Sequence, residues 1–109
     1  MRVSSAASTL PFEAEDALRA LAARIRTVRK ARGLTQPDVA AKAGISTNTL
    51  LSMEKGAPQV QLGYWLQVLY ALDMLEGFAE AVAALGKAQS DVDILESQLP
   101  QRVRGKRQR

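Results

Sequence analysis

The 109-residue chain is 47% hydrophobic and carries a formal net charge of +4. It has no cysteine and no histidine, which excludes disulfides, a thiol nucleophile, an imidazole base and the common zinc sites. No apolar run approaches the roughly 20 residues of a membrane span, and the opening MRVSSAASTLPF lacks the apolar stretch of a signal peptide, so a cytoplasmic protein with no membrane partner is expected.

This length suits one domain. The hydrophobic content comes mostly from Ala, Leu and Val, and no alternating β-branched run argues for a sheet, so the expected fold class is all-α. The carboxylates, Lys, Ser, Thr and Tyr that remain form no recognisable catalytic arrangement, and no enzyme activity, metal or cofactor is expected. Charge is uneven along the chain. Residues 1–33 hold seven Lys/Arg against three acids, residues 73–99 hold six acids against Lys87 alone, and the last ten hold Arg102, Arg104, Lys106, Arg107 and Arg109 with no acid. Basic ends around an acidic segment suit a protein that meets phosphate on some surfaces and protein on another; solvated surface charge is the alternative.

In chain order, residues 1–12 are Ser/Ala-rich with Pro11 and read as a flexible N-terminal arm. From Glu13 to Arg32, the apolar positions Leu18, Leu21, Ala22, Ile25 and Val28 recur at helical spacing. Acids at the start of this helix and Arg29, Lys30 and Arg32 at its end complement the helix dipole, and Gly33 suits the left-handed position beyond it.

Two short helices follow with the same local grammar. Thr35 and Ser46 are the N-caps, Asp38 completes a capping-box variant, and the pairs Leu34/Val39 and Ile45/Leu50 can staple the starts of both helices. Pro37 falls in a first turn, where no intrahelical N–H bond is lost, and Gly44 supplies positive φ for the turn between the helices. Val39, Ala40 and Ala43 form one inward stripe, Leu50 and Met53 the other. From Gln36 to Lys55 this is the pattern of a helix-turn-helix, whose second helix is shaped to enter the DNA major groove.

After a Gly56-Ala57-Pro58 loop, Leu62, Trp65, Leu66, Leu69 and Leu72 mark a fourth helix. Met74, Leu75, Phe78, Val82 and Leu85 give a further stripe ended by Gly86, and Ser90 starts a last short helix stopped before Pro100. The expected organisation is a helix-turn-helix domain over residues 13–73, a helical dimerisation or partner segment over 74–99, and a disordered basic tail over 100–109. Phe78, Val82 and Leu85 extend the apolar surface beyond what a minimal domain covers, which favours a homodimer over packing back on Trp65 and Leu69. For the tail, contact with DNA, folding on an acidic partner face and simple solubilisation all remain open.

Ile25-Arg-x-x-Arg29, Gly33-Leu34-Thr35-Gln36, Val39-Ala40, Ala43-Gly44-Ile45-Ser46, Thr49-Leu50, Glu54-x-Gly56, Leu62 and Val68-x-x-Ala71-Leu72 together resemble the phage-repressor-like (Xre/Cro) helix-turn-helix family. The resemblance implies a five-helix DNA-binding domain working as a dimer on a two-fold symmetric operator. It places Gln36 and the N–H groups at the start of its helix against a DNA phosphate, and Lys55 with the amides around Gly56 against another. Arg29 and Glu54 fall where the family has a structural ion pair.

The DNA-facing set is therefore Gln36, Ser46, Thr47, Asn48, Leu51, Ser52 and Lys55. Asn48 can pair bidentately with an adenine edge, while Thr47 and Leu51 offer methyl groups to thymine. This outward face holds no Arg, Lys or Gln, a departure from the family that points to readout at A·T pairs. After Leu72, the order Asp73-Met-Leu-Glu-x-Phe, an acidic short helix and Gln101-Arg-Val-Arg resemble the Hip-type antitoxin group. That resemblance implies an autorepressing dimer that binds a kinase-like toxin. A phage- or plasmid-type repressor without a toxin, and an interaction module that does not read DNA, are the alternatives.

Overall fold

The computed structural model describes residues 10–86 and 90–98. Its elements are α1 (Phe12–Ala31), α2 (Gln36–Ala43), α3 (Thr47–Glu54), α4 (Leu62–Ala71), α5 (Leu75–Ala84) and α6 (Ser90–Gln98). No strand occurs among the described residues, so the all-α class read from the sequence is the one observed. Residues 1–9 of the expected arm and the whole expected basic tail, residues 100–109, lie outside the described residues. By contact the chain divides into two units, Met1–Leu75 and Glu76–Arg109.

Local sequence explains the ends of the helices in the first unit. α1 begins one residue earlier than its periodicity indicates, with Pro11 extended at the cap position and no side-chain cap. The Thr35 hydroxyl accepts from the Asp38 N–H and the Asp38 carboxylate accepts from the Thr35 N–H, closing the expected capping box on α2. Ser46 caps α3 by accepting from the Thr49 N–H at 3.0 Å. Gly44 closes α2 at φ 73°, the left-handed geometry that only glycine adopts without cost.

The core of this unit is Ile25 of α1, Val39 of α2, Leu50 and Met53 of α3, and Val68, Leu69 and Leu72 from α4 and its end, all fully buried. Ala22, Ala40, Ala43 and Trp65 complete it. The α4 stripe is rotated from the one expected: Leu62, at its first turn, is 64% exposed, while Val68 takes an inward place. Trp65, Leu69 and Leu72 are buried as expected, and Val68 joins them on the side of the stripe away from Leu62. Arg32 donates to the carbonyl of Leu72, tying the end of α1 to the end of α4.

Asp73 stands at φ 57°, the one non-glycine residue with positive φ among those described. Aspartate adopts this left-handed geometry, which its short polar side chain tolerates better than most. Asp73→Gly is expected to stay within about 1 kcal/mol of the parent, because relief of the backbone offsets the extra freedom gained by the unfolded chain. Asp73→Val should cost about 1–2 kcal/mol. Urea unfolding of the two variants measures both.

In the second unit, α5 buries none of its residues. Phe78 is half-buried, Val82 is 46% exposed and Leu85 is 72% exposed. On α6, Ile94 and Leu95 are also exposed.

Candidate nucleic-acid interface

The orientation of α3 is fixed by one charged junction. Arg29 reaches from α1 and donates from Nε to Oε2 of Glu54 at 2.7 Å and from Nη2 to Oε1 at 3.0 Å. Its Nη1 donates to the carbonyl of Leu34 at 3.0 Å, so one guanidinium holds the turn before α2 and the last residue of α3 together. Both residues are buried, and no buried side-chain polar atom among the described residues lacks a partner. A buried pair satisfied in this way is stable as a pair and costly to break singly.

The junction sets the charge states as well. Burial alone pushes the Glu54 carboxyl upward, but hydrogen bonds from Arg29 and Gln36, with the charges of Arg29 and Arg26, bring it net below the ordinary carboxylate value. The same hydrogen bond raises Arg29 above its ordinary value. Both groups are charged at neutral pH.

Gln36 is half-buried, and its Nε2 donates to Oε1 of Glu54 at 3.0 Å. One of its two amide N–H groups is thus held by the junction and the other is left for an external acceptor. The backbone around it offers less than the sequence suggested. Pro37 has no N–H, and those of Thr35 and Asp38 are taken by the capping box. The Asp38 carboxylate also sits at this helix start, with its pKa lowered by hydrogen bonds from Thr35.

Along α3, Leu50, Met53 and Glu54 face inward. Asn48 is exposed, and Thr47, Leu51 and Ser52 are half-buried. Ser46 is exposed, yet its hydroxyl is engaged by the Thr49 N–H and by the Thr49 hydroxyl at 2.9 Å. The outward surface is an amide, hydroxyls and a leucine, with no charge of its own.

At the far end of α3 the expectation for the backbone amides has to be corrected. The N–H groups of Lys55, Gly56 and Ala57 donate to the carbonyls of Leu51, Met53 and Ser52 at 3.1, 3.0 and 3.0 Å. They close the helix and are not available to a phosphate. The exposed Lys55 side chain remains outward. Arg26 was not singled out from sequence; its Nη1 donates to the Glu54 carbonyl at 3.0 Å, placing a cation on the helix C-terminus. Its position one residue after Ile25, three before Arg29, was the available signal.

Among the described residues no acidic cluster could hold a metal ion, and no helix is long and apolar enough to cross a membrane. A family model described as a helix-turn-helix domain matches residues 20–87. An uncharacterized HTH-type transcriptional regulator, y4mF, of Sinorhizobium fredii is 38% identical over 52 residues, covering 48% of this chain and 68% of that protein. The crystal structure of the clp gene regulator ClgR from Corynebacterium glutamicum is similar at a TM-score of 0.46 and 27% identity, covering 76% of this chain and 94% of that one.

Proposed function

Because the chain belongs to the helix-turn-helix domain family, we propose that it is a DNA-binding transcriptional regulator that inserts α3 into the major groove. The observation that carries this reading is the division of labour on α3. Leu50, Met53 and Glu54 lock the helix down, while Asn48, Thr47, Leu51 and Ser52 stand on its open side. The name of the Sinorhizobium relative supports the regulatory role.

Base readout falls to Asn48, with Thr47 and Leu51 offering methyl contacts, and positioning falls to Gln36, Ser46, Ser52 and Lys55. With no cation on the outward face of α3, the preferred site is read at A·T pairs. Selection of bound duplexes from random DNA is expected to return A·T-rich half-sites; guanine-rich half-sites would overturn the assignment. Nuclease protection on the DNA upstream of the protein's own reading frame tests the regulatory role, and no protected region there would count against it.

The apolar residues Phe78, Val82 and Leu85 favour a homodimer acting as a repressor on a palindromic operator. Two copies would set their α3 helices about 34 Å apart, one turn of DNA. The narrower form, an antitoxin that binds a kinase-like toxin, is supported by the residue order that follows Leu72. Co-purification with the product of an adjacent kinase-like gene tests it.

A further inference from the structure

With the amides of residues 55–57 engaged in closing α3, nearby side chains become the candidates for a grip on the DNA backbone at that end. α1 supplies two of them and the end of α3 the third. Arg19, Arg26 and Lys55 line a cleft of about 420 Å3 together with Ala22, Ala23 and Glu54.

The charge in this cleft is positive in spite of Glu54. That carboxylate is engaged by Arg29 and Gln36 and is neutralised by a buried partner. Arg26 is anchored through one N–H to the Glu54 carbonyl, which leaves its other donors uncommitted to that bond. Arg19 is positioned by shape: a Cβ on Gly56 would lie 3.2 Å from Arg19 Cγ, so its stem runs across the bare glycine. Its other partner is Glu15 at 4.0 Å, with both side chains well exposed, a contact that phosphate can displace at little cost. Glu54 lines the cleft and also accepts from the Gln36 amide.

We propose that Arg19 and Arg26 of α1, together with Lys55, form a phosphodiester-binding site that grips the DNA backbone beyond the C-terminal end of α3. The proposal rests on the DNA-binding reading above and extends the contact surface onto a helix that the reading leaves structural. The site carries no sequence information, so it adds the same affinity to every duplex.

The test measures binding of the full chain to its upstream duplex and to a random duplex of equal length over a range of salt. Arg19→Gln is expected to lower the slope of log K against log salt by about 0.9, and the double variant with Arg26→Gln by about twice that, on both duplexes alike. The ratio of affinities for the two duplexes should stay at the parent value. Arg24→Gln, which removes an equal charge from an exposed position outside the cleft, should leave the slope unchanged. Parent-like slopes in the Arg19 variant overturn the proposal while leaving DNA binding intact. Equal losses in the Arg19 and Arg24 variants overturn it in favour of net charge alone. A parent chain that binds neither duplex overturns the proposal together with the reading beneath it.

Discussion

Glu54→Gln is expected to lower the unfolding free energy by about 3–5 kcal/mol, the usual cost of leaving one member of a buried ion pair alone. The substitution preserves shape, so the loss comes from chemistry. Oε2 of Glu54 accepts from Arg29 Nε, and Oε1 accepts from Arg29 Nη2 and Gln36 Nε2. Whichever way a glutamine amide turns, its NH2 meets a donor and Arg29 keeps an uncompensated buried charge. Urea unfolding monitored at Trp65, the chain's only tryptophan, measures the loss. A change below about 1 kcal/mol would show that the pair carries little of the stability assigned to it.

The same group gives the fold an acid limit of definite sign. The folded pKa of Glu54 lies below its unfolded value, so its contribution is complete above the unfolded value, about 4.3, and is lost as pH falls through the folded one. Asp38 is shifted in the same direction and adds to the loss. Arg29 is shifted upward and stays charged throughout this range. Stability of the parent should therefore decline below about pH 5, and Glu54→Gln, already weakened, should decline less steeply over that interval. Chemical unfolding repeated between pH 7 and 3 compares the slopes; equal slopes would assign the acid sensitivity to other carboxylates.

Asn48→Ala is expected to reduce affinity for the selected site about 5- to 150-fold, the equivalent of roughly 1–3 kcal/mol for a bidentate adenine contact. Binding to random DNA should remain near the parent level, because the contact reads a base and not the backbone. Asn48 is exposed and makes no hydrogen bond that holds the fold, so the unfolding midpoint should not move. Competition titration with the selected duplex and point-substituted versions locates the base pair that loses discrimination. If every base pair retained its penalty in the variant, Asn48 would not be the reader of this face.

The parts of the fold legible in the sequence are those set by local chemistry. Thr35 with Asp38, Ser46 with Thr49, and the positive φ of Gly44 follow from caps and turns a few residues long, and they mark α2 and α3 correctly. The face of α4 was less legible, because overlapping stripes share Trp65, Leu69 and Leu72, and only tertiary packing decides between Leu62 and Val68. Contacts between distant segments were legible only in part. Arg29 and Glu54 stand out through their place in a residue pattern, whereas the Gln36 bond to Glu54 and the path of Arg19 across Gly56 depend on how three segments cross. The engagement of the 55–57 amides could not be read in advance, since a free and a helix-closing amide have the same sequence.

The side chains that anchor α3 and the side chains it displays are separate sets. Leu50, Met53 and Glu54 answer to the core, and none of them belongs to the outer group of Thr47, Asn48, Leu51 and Ser52. On the DNA-reading role proposed above, substitutions in the outer group, led by the exposed Asn48, would retarget the helix to a new binding sequence at less cost to the scaffold than changes in the inner one.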